Sequence, residues 1–380
     1  MKEEMKYLYW LNSVEGIGFK AIKLLSKFAG SAKDIYHLDE RDLTWFLNKR
    51  QLENLLANRE KWDIEHEFNK LGQKGINFYP YGHRGYPEKL LGLNDPPAAL
   101  YVRGSLPDEH NPAVAVIGTR KCSGYGSSMA KQLGAKLAEH GISVISGMAR
   151  GIDGIGQRAV CEASGKTFAI LGCGVDIIYP PENERLYGQI IRSGGIISEY
   201  CPGTEPKAGQ FPARNRIISG LSDAVVIVEA KEKSGTMITV DMALEQGREV
   251  YALPGRLVDG LSHGCNRLIK QGAGIIVSLD EFVIDIIESH KLKLSNEVKE
   301  LQKNEKKSGG VKSTDEKVNH TFTEDEKQVY ACLDHIPCSF EQIQVLNPKI
   351  PYEKLLKILI TFCLKGIAVQ MGAGNYCKAK

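Results

Sequence analysis

A chain of 380 residues, 42% hydrophobic and 25% charged, is too long for one ordinary domain and has enough apolar material for a large core without disulfides or metals. Its formal net charge of +3 is too small to argue nucleic-acid binding from bulk electrostatics, so any basic surface has to be local. Nine cysteines, odd in number, with no CxxC pair and no accompanying His cluster, exclude a zinc site and point to the reduced thiols of a cytosolic protein.

The opening MKEEMKYLYWLN lacks the apolar core of a signal peptide, and no stretch approaches the eighteen apolar residues of a membrane helix. Residues 1 to 78 read as a helical domain. Apolar residues recur at helical spacing in Tyr7–Leu11, Ala21–Phe28, Leu43–Leu47 and Leu52–Leu56. Within it, LNSVEGIGFKAIKLL sets a Gly16-Ile17-Gly18 turn between two helices, as a helix–hairpin–helix does. Such a hairpin offers backbone N–H groups to a DNA phosphate, with Lys20 and Lys23 to assist. The plainer alternative is a tight turn and nothing more. Residues 79 to 110 are rich in Tyr, Pro and Gly, with one apolar stretch, Ala98 to Val102, expected as an edge strand.

From 113 to about 290 strands and helices alternate. The expected strands are Val114–Ile117, Ser143–Ser146, Thr167–Leu171, Gly195–Ser198, Ala224–Val228, Glu249–Ala252 and Ile275–Val277. Apolar strands separated by helix-length segments imply an α/β fold: a Rossmann-like, doubly wound, mostly parallel sheet with both faces covered. Ligands of such sheets sit beyond the carboxyl ends of the strands. The unusual polar stretches of this region lie at those ends.

The first strand runs into VAVIGTRKCSGYG. Gly118, Thr119, Arg120 and Lys121 follow it, then Ser123, Gly124 and Gly126, then a helical pattern over Met129 to His140. Strand, polar glycine loop and helix aim backbone N–H groups at an anion. A dinucleotide fingerprint needs a second glycine where Arg120 stands and an acid about twenty residues on. Both are missing, which disfavours NAD and favours a phosphate gripped by a side chain. After Ser146 comes GMARGIDGIG, where Gly147 and Gly151 allow close backbone approach, Arg150 adds charge and Asp153 sits where an N-cap belongs. LGCGVDIIYPPEN brings a further glycine turn through Gly172 and Gly174.

After Ser198, EYCPGTEPKAGQFPARNRIISGLS supplies Lys207, Arg214 and Arg216 as cations, Phe211 as an apolar face and Asn215 as an amide. Cations for a backbone and a ring for a base are the composition used for single strands. After Val228, Ser234, Gly235 and Thr236 open a helix whose N-terminus suits a second phosphate. Each feature has a plain structural explanation: a cap, a turn, a core phenylalanine, an ion pair. Their convergence carries the argument. Four strand ends of one sheet bear glycine or cation chemistry, and no His or Cys among them forms a nucleophile arrangement. Such a site is built to hold a long anion and ill equipped to cut one.

Residues 291 to 320 are rich in lysine and glutamate, lack aromatics and read as a flexible linker. Residues 321 to 380 form a small domain. Thr323 caps a helix to Leu333, Ser339 caps one to Leu346, and Pro351 starts a third over Tyr352 to Lys365. A hairpin pattern around Gly372 and Gly374 follows. Three helices and a hairpin resemble a winged helix, whose third helix here carries few side chains for base readout.

Assembled in order, IGTRKCSGYG, SGMARGID, LGCGVDIIYP, FPARNRIISGLS, SGTMITVDMALEQGR and YALPG resemble the DprA family, also called Smf, of bacterial DNA-processing proteins. The resemblance covers the whole chain and is strongest from 113 to 278. It implies a cytoplasmic, non-enzymatic homodimer, joined through its Rossmann domain, that needs no metal or nucleotide cofactor. Such a protein binds incoming single-stranded DNA during natural transformation and competence, protects it and loads RecA recombinase on it. It implies a phosphate loop of Gly118, Thr119, Arg120, Ser123, Gly124 and Gly126. It also implies a DNA groove of Lys207, Phe211, Arg214, Asn215 and Arg216, with a SAM-like domain over 1 to 78, the Rossmann-like domain over 79 to 290 and a winged helix over 321 to 380. Two other readings stay open. One is a nucleoside monophosphate-processing enzyme with Glu245 as its acid; the other is an adaptor that acts through the small C-terminal domain.

Overall fold

A computed structural model of the chain describes residues 2–308, 322–334, 337–371 and 374–379. It comprises two compact units, Asn69–Lys307 and Met1–Phe68 with Ser308–Lys380. The second begins with five helices: α1 (Lys2–Ser13), α2 (Phe19–Ala29), α3 (Ala32–His37), α4 (Glu40–Leu43) and α5 (Lys49–Lys61). Their apolar faces bury Trp10, Leu11, Leu25, Ile35, Leu43 and Leu55. Gly16, at a φ of +85°, makes the turn before α2 that the glycine pair implies. The carbonyls there are engaged internally, Gly16 O by Gln51 Nε2 at 2.7 Å and Glu15 O by Asn54 Nδ2 at 2.9 Å. Lys23, expected beside a DNA phosphate, instead pairs with Asp334 at 2.5 Å.

Helix α6 (Ile64–Gln73) leads into a nine-stranded sheet. Its strands are β1 (Asn77–Pro80), β2 (Ala99–Gly104), β3 (Ala113–Ile117), β4 (Ser143–Ser146), β5 (Thr167–Ile170), β6 (Gly195–Ser198), β7 (Ala224–Ile227), β8 (Glu249–Ala252) and β9 (Gly274–Ile275). Their order is β1-β2-β6-β5-β4-β3-β7-β8-β9. Strands β3 to β9 pair in parallel where they meet, while β1 and β2 join antiparallel at one side. The stretch expected as an edge strand, β2, is therefore interior. The edge is β1, which ends in Pro80, a residue that cannot donate to a further neighbour. Because β1 belongs to this sheet, the boundary expected at residue 78 falls inside a strand.

Helices α7 (Glu88–Leu91), α8 (Gly124–Glu139), α9 (Ile152–Glu162), α10 (Glu184–Ser193), α11 (Gln210–Gly220), α12 (Gly235–Glu245), α13 (His263–Lys270) and α14 (Leu279–Ser308) complete this part. Successive residues of a strand face opposite ways, and β3 shows the consequence. Ala113, Ala115 and Ile117 enter a core with Ile217 and Ile218 of α11 and Val240 of α12. Val114 and Val116 enter another with Leu133 of α8, Val160 of α9 and Val283 of α14. Helices thus cover both faces, and the fold is α/β and Rossmann-like.

Helix α14 extends to Ser308, through the first part of the segment expected as a linker. Lysine, glutamate, leucine and glutamine are strong helix formers. Residues 309–320 lie outside the described residues. Beyond them come α15 (Glu324–Cys332), β10 (Cys338–Ser339), α16 (Phe340–Leu346), α17 (Tyr352–Leu364), β11 (Ala368–Gln370) and β12 (Asn375–Lys378). Thr323 and Ser339 each close a capping box, with Glu326 and Gln342. The strands form an antiparallel sheet in the order β10-β12-β11 over Val329, Ile343, Leu355 and Phe362. Gly372, expected in the hairpin, lies outside the described residues.

Candidate functional site

From β3 the chain builds the sheet outward through β4, β5 and β6, then returns to lay β7 on the other side of β3. The loops after β3 and β7 must part at that switch point and leave a crevice. A cleft of about 580 Å³ opens there. The loop after β3 contributes Gly118, Thr119 and Arg120 to its walls. Ala149 and Asp153 follow β4, and Tyr179 follows β5. Phe211, Arg214 and Asn215 come from α11, and Ser234, Gly235 and Thr236 from the start of α12. Five strand ends converge on one concavity, one more than the four counted from the sequence.

Phe211 gathers the aromatic and cationic contacts of this wall. The Arg120 guanidinium carbon is 5.8 Å from the ring centroid and that of Arg214 is 6.0 Å from it. Tyr179 packs on the same ring, with centroids 5.4 Å apart and planes tilted by 34°. Two like charges thus lie against one aromatic ring. They differ in freedom. Arg214 is 5% exposed. It donates to Gly147 O at 3.1 Å, to Ile170 O and to Asn215 Oδ1 at 3.1 Å. Burial pulls its guanidinium down to about 10; Asp153 opposes that shift, and Arg120 adds to it. Arg120 is exposed and has no carboxylate partner among the described residues. A negative charge placed beside Arg120 would offset the repulsion between the two cations.

The loop after β4 fits around Arg214. A Cβ on Gly147 would lie 2.6 Å from the guanidinium nitrogens, so no larger residue fits there. Met148 adopts a φ of +51°, costly for a side chain of its size. Its N–H donates to Gln157 Oε1 at 3.0 Å and its carbonyl accepts from Asn183 Nδ2 at 2.9 Å, which hold it there. Asp153 is not the N-cap expected of it; Gly151 is. The Asp153 carboxylate folds back to accept from Gly147 N–H at 3.2 Å. Burial raises this carboxyl above its ordinary range, against Arg214 and the surrounding N–H groups.

The N-terminus of α8 departs from the expected phosphate loop. Ser123 caps that helix, but its N–H and hydroxyl donate to the Glu229 carboxylate at 2.9 and 2.5 Å. Glu229 is 2% exposed, and a Cβ on Gly126 would strike it at 2.2 Å. The anion position of this helix is filled by the protein's own carboxylate. Ser123, Gly124 and Gly126 therefore shape the loop and do not line the cleft. Glu229 O also accepts from Thr119 N–H at 2.8 Å, which fixes the turn carrying Arg120.

Arg216 is also placed differently. Residues 210–220 are helical, so positions two apart point about 200° from one another. Arg214 faces the cleft. Arg216 pairs twice with Glu199, at 2.6 Å each, and donates to Asp95 O at 2.7 Å. It extends no cationic track. Arg150 reaches the rim next to Phe211 but pairs with Glu182 at 2.6 Å, an exposed contact that an anion can exchange. Lys121 and Lys207 are exposed, and Lys207 N–H donates to Gln210 Oε1 at 2.6 Å. Ser234 lines the cleft at the start of α12, and its Oγ is buried without a partner among the described residues. Sequence reasoning missed Tyr179 and Glu229. Tyr179 had one signal, a tyrosine before a proline five positions after the GCG turn; Glu229 had only its place at the end of an apolar strand.

These features define a Rossmann-like protein whose switch-point cleft is lined by two guanidinium groups and whose sequence lacks the dinucleotide fingerprint. Comparison with known proteins narrows the class. Residues 77–287 match the family model described as DNA recombination-mediator protein A. The chain is 42% identical over 193 residues to DNA processing protein DprA of Streptococcus pneumoniae, covering 51% of this chain and 68% of that one. The X-ray structure of the pneumococcal protein superposes with a TM-score of 0.64 at 34% identity, over 73% of this chain and 97% of that one. A structure of DNA processing protein A from Helicobacter pylori superposes with a TM-score of 0.52 at 32% identity, over 56% of this chain and 96% of that one. That Helicobacter pylori structure is described for its single-stranded DNA binding mode. The chain belongs to the DNA recombination-mediator protein A family, the DprA or Smf family.

Proposed function

We propose that this chain binds single-stranded DNA without regard to sequence, in the cleft between β3 and β7. One observation carries the reading: Arg120 is exposed and, among the described residues, has no carboxylate partner, beside a ring that a second, buried guanidinium also approaches. In that geometry Arg120 takes a phosphate, Phe211 and Tyr179 take a base, and the N-terminus of α12 at Ser234, Gly235 and Thr236 takes a further phosphate. Asn215, Gly118 and Thr119 complete the walls, the N–H of Thr119 being held by Glu229 O. Neither a metal nor a nucleotide has a role in this binding. Among the described residues no group of His, Cys, Asp and Glu is arranged as a metal site.

On the same reading the protein acts in the cytoplasm, shields incoming DNA and hands it to RecA recombinase during transformation and recombination. Among the described residues no helix is long and apolar enough to cross a membrane. The chain works as a homodimer through the sheet domain. Strand β9 pairs only with β8, and exposed Leu244, Ile275 and Val277 surround that open edge. Residues 322–379 are read as the winged helix and residues 1–68 as the SAM-like domain.

The enzyme reading loses its acid. Glu245 ends α12, nine residues and about 13 Å of helix beyond Thr236. Asp153, an acid that does line the cleft, is engaged by Gly147 and faces Arg214. A gel shift with single- and double-stranded oligonucleotides of one length tests the proposal. Preference for the single strand across unrelated sequences is expected. Equal or stronger binding of the duplex sinks it.

A further inference from the structure

Past the rim of the cleft lies a second concavity, of about 650 Å³. It is lined by Ser123, Tyr125, Pro254, Gly255, Arg256 and Asp259, from the start of α8 and the loop after β8. The Tyr125 ring is 45% exposed yet fixed, because its hydroxyl donates to Pro254 O at 2.9 Å. The loop is held at two more points. Gly255 N–H donates to Asn266 Oδ1 at 3.1 Å, and Asn266 Nδ2 donates back to Gly255 O at 2.9 Å. His263 Nε2 lies 2.9 Å from Leu257 O. So braced, the loop still keeps Arg256 exposed with no carboxylate partner among the described residues. It also leaves Leu257 and Val258 at 84% and 86% exposure. A fixed backbone that holds a ring, a guanidinium and two aliphatic side chains in water is organised for contact.

The chain links this shelf to the cleft. Arg120 lines the cleft and Ser123 lines the shelf, with only Lys121 and Cys122 between them. Lys121 is exposed. We propose that the shelf takes a nucleotide of the strand as it leaves the cleft past Arg120. Tyr125 stacks the base, Lys121 meets the phosphate between the two sites and Arg256 meets the next one. Asp259 is the acid on this surface, and it accepts from an exocyclic amino group of the base. A ring between two cations suits single-stranded nucleic acid better than a neutral peptide. The inference rests on the single-strand reading of the cleft.

The test is a fluorescence anisotropy titration of the full chain with oligodeoxycytidylates, whose bases carry the amino group Asp259 accepts from, of about six and about twelve nucleotides, the first filling the cleft alone. Wild type should bind the longer one more tightly. Tyr125→Ala should match wild type on the shorter and lose about tenfold on the longer, a typical loss for one stacked base. Tyr125→Phe keeps the ring and should keep most of the affinity. Should Tyr125→Ala fail to fold, Arg256→Ala on the exposed loop reads the same difference. Equal effects on both lengths, or none on either, overturn the shelf; the latter is the result if a protein docks there instead. If wild type binds neither length, the cleft reading fails, and the shelf with it.

Discussion

Ser123 donates both its backbone N–H and its hydroxyl to the carboxylate of Glu229, a residue 106 positions further along the chain. A Rossmann-like loop normally leaves that helix N-terminus to a phosphate. Here the protein supplies the anion itself, and the same residue's carbonyl holds the turn that presents Arg120.

Removing that carboxylate should therefore create an anion site. Glu229→Ala gives up two charge-assisted hydrogen bonds, each worth about 1.5–3 kcal/mol, so a loss of stability of about 3–6 kcal/mol is expected. Phosphate added at constant ionic strength should recover part of it by occupying the vacated N-terminus. Thermal denaturation of variant and wild type reads both effects. Equal gains for the two proteins would show that the carboxylate does not stand in for a ligand.

Arg216 separates structure from binding. Its bidentate pair with Glu199 is largely shielded from water. Arg216→Ala should cost about 2–3 kcal/mol, since Glu199 is left half-buried without its partner. DNA affinity and its salt dependence should not move. A reduced salt slope for this variant would restore Arg216 to the binding track.

Phe211 should behave as a stacking surface. Phe211→Ala is expected to weaken single-strand binding by about 1–3 kcal/mol, roughly five- to 150-fold, while Phe211→Tyr keeps most of it. Equilibrium titration on oligothymidylate measures both. If leucine at this position served as well as tyrosine, the ring would be packing alone.

The open edge at β9 can be tested by charge. Ile275→Lys or Val277→Lys places an ammonium where a second copy would meet apolar surface. Light scattering should report twice the chain mass for wild type and the single-chain mass for the variants. A dimer that survives both substitutions lies elsewhere.

Much of the sheet was legible because buried parallel strands need unbroken apolar runs. Ser143–Ser146, Gly195–Ser198 and Glu249–Ala252 stand at the residues their sequences imply. Strand β1 was not legible: four residues ending in proline carry no such run, and its partner β2 accordingly passed for the edge. The start of α8 was obscured by the helix-poor Gly124 and Gly126, although Ser123 marked its cap. The cleft's composition was visible at the strand ends, but the orientation of each cation was not. Arg214 and Arg216 look alike in sequence; the helix beneath them sends one to the cleft and the other to Glu199. Nothing local announces that Glu229 closes the loop of Ser123, because the contact exists only once β3 and β7 lie side by side.

The central claim is that Arg120 holds a phosphate of a single strand. Titrating wild type and Arg120→Ala against labelled oligothymidylate over a range of salt concentrations tests it most directly. The account expects weaker binding on every sequence and a salt slope shallower by about 0.7, one phosphate contact fewer. Unchanged affinity together with an unchanged slope would contradict it.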